Sequence, residues 1–178
     1  MRSEKIKKLV LAAFFAAIIF LGTFLIKIPI PNGYIHFGDG FIYVAAALLP
    51  LPYAMAAAAL GGLLADLIAG FAAYAPFTAI VKLLIALVIG LIVRHNAFVN
   101  RLRGSGTEKG GFCALLCASV AGGIVNVGGY FATDCILYGV PAAISALPLN
   151  CLQSAFGIAV FFIFLPILAK AFSRFDRI

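Results

Sequence analysis

Four ionisable side chains interrupt long apolar runs in this chain: Asp39, Asp66, Lys82 and Asp134. A charge inside a membrane-length apolar segment is expensive to bury, so each is a candidate for function. Neutral polar groups join them. Asn126, Tyr130 and Asp134 recur at i, i+4 and i+8 and share one helix face. Asn150, Gln153 and Ser154 share another. Two amides on an apolar helix face must find partners, which makes Asn150 and Gln153 the strongest pair for holding a ligand. The chemistry on offer is hydrogen bonding and stacking toward a small polar molecule. Lys82 either contacts that molecule or pairs with Asp66 or Asp134 for structure. Asp66, in Gly-Gly-Leu-Leu-Ala-Asp, reads as a residue that holds a loop or caps a helix. Asp39 reads first as the N-cap of the run that follows it, and second as a site residue. Tyr34, Tyr43 and Tyr74 are either interfacial aromatics or stacking partners for a flat ligand. His36 is read as a loop residue, either solvated or at the rim of the site.

Catalytic chemistry is not supported. No GxxxxGK[ST], HExxH or GxSxG occurs, so neither an enzyme nor a bound cofactor is expected. The four cysteines, Cys113, Cys117, Cys135 and Cys151, lie in apolar runs without CxxC spacing, and they read as small buried hydrophobes. No internal repeat stands out, which weighs against an inverted-repeat carrier.

The elements that must position these residues follow from composition. Of 178 residues, 65% are hydrophobic and 11% charged, against about 25% charged in a soluble domain. Mean hydropathy is +1.16. At roughly 20 residues per span, the sequence predicts an all-α integral membrane protein, a single domain over 1–178. Its six transmembrane helices run over about 6–26, 38–49, 53–69, 76–93, 112–137 and 144–171. The net charge of +7 does not point to nucleic acid. Arg2, Lys5, Lys7 and Lys8 precede the first span; Arg94, Arg101, Arg103 and Lys109 share one loop; Lys170, Arg174 and Arg177 end the chain. The positive-inside rule then puts both termini in the cytoplasm, with membrane lipid around the bundle, and leaves only Lys27 and Lys82 off the basic side. His36 and His95 fall on opposite sides.

In that topology the polar residues gather in the outer layer of the membrane, and the inner halves of the spans are nearly free of them. A pore would need polar groups through its whole depth. This pattern instead predicts an outward-facing cup lined by spans 4, 5 and 6. Its roof is the stretch Lys27 to Tyr43, where Pro29 and Pro31 end the first helix near Lys27, Asn32-Gly33 makes a turn, and Gly38 and Gly40 offer a hinge. A binding protein of this kind needs a partner to supply energy.

Span 1 carries two overlapping small-xxx-small pairs, Ala12/Ala16 and Ala13/Ala17. By spacing alone they read as helix packing within the chain. Together with Ile28-Pro-Ile-Pro-Asn-Gly-Tyr-Ile-His-Phe-Gly-Asp-Gly, Gly61-Gly-Leu-Leu-Ala-Asp66-Leu, Thr78-Ala-Ile-Val-Lys82 and Asn126-Val-Gly-Gly-Tyr130-Phe, in that order over nearly the whole chain, they resemble the S components of energy-coupling factor (ECF) transporters. The resemblance implies an S-component-like bundle and a small bacterial importer subunit of the cytoplasmic membrane. Such a subunit captures a vitamin-like small molecule beneath loop 1 and works with a transmembrane coupling subunit and two cytoplasmic ATPase subunits. It also implies that Ala12, Ala13, Ala16 and Ala17 face the coupling subunit. The ligand residues then expected are Asn150, Gln153, Lys82, Tyr130, Asp134, Asn126, His36, Tyr34, Tyr74 and Asp39. A pyridoxine- or hydroxymethylpyrimidine-like molecule is the first expectation for the ligand. Riboflavin or a queuosine-type base in the same role is an alternative, and a stand-alone secondary carrier is a second.

Overall fold

Apolar runs rich in Ala, Leu and Phe fold as helices, because the backbone of a membrane segment must satisfy its own hydrogen bonds. A computed structural model describes the backbone of residues 2–30, 33–93 and 111–175, and the side chains of 4–26, 35–93 and 111–171. The described elements are α1 (Arg2–Phe24), β1 (Lys27–Ile30), β2 (Gly33–His36), α2 (Gly38–Leu48), α3 (Leu51–Ala69), α4 (Ala75–Val93), α5 (Phe112–Tyr138) and α6 (Val140–Phe175). The basic loop after α4 and the last basic residues, Arg174 and Arg177, lie outside the residues whose side chains are described.

Five of these helices are long and apolar enough to cross a membrane; α2 is not. Its 11 residues reach about 16 Å, half of a hydrocarbon core of about 30 Å. α1, α3, α4, α5 and α6 pack in succession, and α2 packs against α1, α3, α4 and α6. Every α2 residue from Gly38 to Ala47 is buried, as expected of a helix that is small and apolar all round. Tyr43 is part of this core, fully buried with its ring 5.9 Å from that of Phe161, so it is not an interfacial aromatic.

The stretch before α2 differs from its reading as an irregular loop. α1 ends at Phe24, and β1 pairs antiparallel with β2 from Lys27↔His36 to Ile30↔Gly33. Prolines are tolerated in a two-stranded ribbon because each strand leaves one edge unpaired. Pro31 and Asn32, and hence the expected turn, lie outside the described residues. Gly38 and Gly40 are not a hinge. They sit in the first turn of α2, where a Cβ on Gly38 would run into Thr23 of α1 and one on Gly40 into Val160 of α6. Their role is close helix approach.

The alanine pairs of α1 part company. Ala12 is buried at 6% exposure. Ala16 is half-buried, and its carbonyl lies where a Cβ on Gly61 of α3 would meet it at 2.9 Å. That geometry corrects the partner-facing expectation for Ala12 and turns Ala16 toward α3, since close α1–α3 packing uses this face. Ala13 and Ala17 are exposed. The cysteines also depart from expectation: Cys113, Cys117 and Cys151 are exposed on the bundle surface, and Cys135 is half-exposed.

The other end of the chain adds a long helix. α6 starts at Val140, four residues earlier than expected, with Pro141 near its N-terminus where a missing N–H costs nothing. Pro148 and Pro166 lie inside it. Pro148 removes one helical hydrogen bond beside Leu149 and Asn150, which line the cavity described next.

Candidate functional site

Two helices run antiparallel with matching polar faces. Tyr74, at the entrance to α4, with Thr78 and Lys82 on it, repeats every four residues, as do Asn126, Tyr130 and Asp134 on α5. Three rungs join them. The Tyr74 hydroxyl donates to Asp134 Oδ1 at 2.5 Å. The Thr78 and Tyr130 hydroxyls share a hydrogen bond of 3.1 Å. Lys82 Nζ donates to Asn126 Oδ1 at 3.0 Å and lies 4.9 Å from the Tyr130 ring centre, a cation–π contact. Small residues allow the fit: a Cβ on Gly62 of α3 would press on Thr78 and Lys82 at 3.0 Å.

The lowest rung continues across the bundle. Lys82 Nζ lies 2.6 Å from Asp39 Oδ1, with both side chains almost wholly buried. Gln153 of α6 donates from Nε2 to Asp39 Oδ2 at 3.0 Å and to the His36 carbonyl at 3.1 Å, and its Oε1 accepts the His36 N–H at 3.0 Å. Asn126 Nδ2 donates to Ser154 Oγ at 3.1 Å. One network therefore ties β2, α2, α4, α5 and α6 together. Buried charges and amides demand this degree of satisfaction.

Above the network opens a cavity of about 410 Å3, within the range of small-molecule sites. Its walls include Lys82, Tyr130, Asp134, Asn150, Gln153, His36 and Tyr74, together with Asp66, Thr78 and Tyr138. α4, α5 and α6 contribute, as expected, and so do α3 through Gly62 and Asp66 and α1 through Thr23. At the mouth, burial and the neighbouring Asp134 carboxylate push the Tyr74 phenol up, so it remains a donor.

Several expectations are corrected here. Lys82 takes Asp39 as its carboxylate, not Asp66 or Asp134. Asp39 caps no helix: the N-cap of α2 is Phe37, without a side-chain cap bond. Asp39 and Asn126 lie behind Lys82 and line none of the cavity, because their polar atoms are committed to the network. Gln153 borders the cavity but spends its amide on His36 and Asp39. The Asn150 side chain is half-buried on the wall and, among the described residues, makes no hydrogen bond. His36 is a buried strand residue rather than a solvated loop residue. Tyr34 stands opposite Pro29 in the ribbon, and its side chain lies outside the described residues. Thr78 and Tyr138 were missed. Both were within reach of the spacing argument, since Tyr74, Thr78 and Lys82 repeat every four residues and Tyr138 extends the face of Asp134.

A family model described as ECF-type riboflavin transporter, S component, matches residues 3–170. The chain belongs to this family. S components are membrane-embedded substrate-binding subunits that work with a transmembrane coupling subunit and ATPases; they are transport subunits, not enzymes. This S component is accordingly a multi-pass membrane protein. It is also similar to a Pyrococcus woesei chain, "Uncharacterized protein in gap 3'region", with 32% identity over 140 residues, covering 78% of this chain and 85% of the other.

Proposed function

We propose that this S component captures a small heteroaromatic vitamin or vitamin precursor, from outside the cell, in the cavity between α3, α4, α5 and α6. The observation that carries this reading is the cavity itself: a space of about 410 Å3 walled by Tyr74, Tyr130 and Tyr138, with Asn150 offering a free amide. Aromatic walls with a few fixed polar groups suit a flat polar ring. The ribbon and α2 start at the same end of the bundle as the cavity mouth, and the basic N-terminus and loop lie at the other. By the positive-inside rule the mouth then faces outward. A pyridoxine- or hydroxymethylpyrimidine-like molecule fits the modest volume, and a queuosine-type base would make the same kinds of contact. The family description favours riboflavin as the second reading.

The test is direct. The protein purified from its host is analysed by mass spectrometry for a copurified small molecule, and riboflavin, pyridoxine and hydroxymethylpyrimidine are titrated calorimetrically. Asn150→Ala should weaken the bound ring about two- to tenfold with an unchanged melting temperature. Uptake in cells should require a coexpressed ATPase module. Full-rate uptake by this chain alone would favour a stand-alone carrier, and absence of any ring ligand would sink the proposal.

A further inference from the structure

The charges around the cavity do not balance. Among its described lining residues, Lys82 is the only Lys or Arg, and Asp39 neutralises it at 2.6 Å behind the wall. That leaves two carboxylates on the walls, Asp66 from α3 and Asp134 from α5, buried at 9% and 6% exposure. Asp134 is framed by aromatic rings: Tyr130 one turn below it, Tyr138 one turn above it, and Tyr74 donating to its Oδ1. The Tyr74 and Tyr138 ring centres are 5.9 Å apart.

On this basis we infer that the captured ring carries an amino group and no acidic substituent, and that Asp134 with Asp66 recognises the amino N–H groups between the tyrosines. This rests on the proposed reading of the cavity as a ring-binding site. A phosphate or carboxylate would enter a poorly hydrated space beside two carboxylates with no uncommitted cation on the described walls, and that arrangement repels it strongly. An amino group gains charge-assisted hydrogen bonds, and, when protonated, also the faces of the tyrosine rings. Asn150 stands across the cavity to orient the remaining polar edge of the ring.

Calorimetry on the detergent-purified full chain separates the possibilities with matched probes. The amine-bearing probes are pyridoxamine and 4-amino-5-hydroxymethyl-2-methylpyrimidine. The amine-free probes are pyridoxine, riboflavin and the 4-oxo counterpart of the pyrimidine, and pyridoxamine phosphate is the acidic one. An amine-bearing probe should bind at least about tenfold more tightly than its amine-free counterpart, the difference expected of one hydrogen bond to a charged group. Pyridoxamine phosphate should bind more weakly than pyridoxamine. Asp134→Asn and Asp66→Asn should each move the amine-to-amine-free affinity ratio toward one. An amine-free probe or the phosphate ester binding as tightly, or a ratio unmoved in both variants, overturns the inference while leaving the ring-binding reading intact. If no probe binds, the ring-binding reading fails and the inference with it. The wild-type comparison stands even if a variant fails to fold.

Discussion

Lys82 and Asp39 show what a membrane-embedded charge pair does at the scale of single residues. Each is almost completely buried, and each is held by at least one amide besides its partner: Asn126 for Lys82 and Gln153 for Asp39. A buried pair of this kind adds little net stability compared with well-packed apolar groups, but breaking it leaves an uncompensated charge at a cost of about 3–5 kcal/mol. Lys82→Met or Asp39→Asn alone should therefore lower the melting temperature in detergent sharply. The double variant Lys82→Met/Asp39→Leu should recover part of the loss, a coupling read from a double-mutant cycle. Melting of the single Lys82 variant at the wild-type temperature would show that the pair holds nothing. Gln153 belongs to the same group of residues, since its three bonds fasten His36 and Asp39. Its replacement acts on the ribbon first and on the ligand only through it.

Among the elements, the contrast between the two faces of α1 is the most informative. Ala12 is in the core, and Ala16 lies against α3 at Gly61, while Ala13 and Ala17 are exposed. Small residues on one helix thus serve two separate surfaces, one that holds the chain together and one available to a partner in the membrane. Ala12→Leu should overpack the core and cost about 1–3 kcal/mol, seen as lower expression and melting temperature. Ala13→Leu and Ala17→Leu should leave melting and ligand affinity alone and reduce uptake in the presence of the coupling and ATPase subunits. Normal uptake by both exposed-face variants would remove this strip from the docking surface. α2 offers the complementary case: Gly40 lets α2 approach Val160 and the Gly157 carbonyl of α6, which brings Asp39 within reach of Gln153.

For the whole molecule, the polar groups are concentrated toward one end of an otherwise apolar bundle, and the basic residues toward the other. This asymmetry supports a protein that receives its ligand from one side and is worked from the other by partners. If both termini are cytoplasmic, green fluorescent protein fused to either end should fluoresce, and alkaline phosphatase fused to either end should be inactive. An active phosphatase fusion at one terminus would change the number of crossings and reverse the mouth.

Much of this was legible from residue order. Long apolar runs, clustered basic residues and a layer of Asp, Lys, Asn and Gln determine a helical membrane protein with a polar pocket near one end, because hydropathy and burial cost act locally along the chain. The four-residue spacing of Asn126, Tyr130 and Asp134 placed them on one face without any knowledge of their neighbours. Partnership was another matter. Lys82 had three carboxylates within plausible depth, and only the position of α2 inside the bundle, set by Gly38 and Gly40 against α1 and α6, brought Asp39 to it. The same placement spent Gln153 on the ribbon and left Asn150 open to the cavity. Sequence spacing fixes which residues share a helix face; helix rotation and close approach between distant segments decide which faces meet.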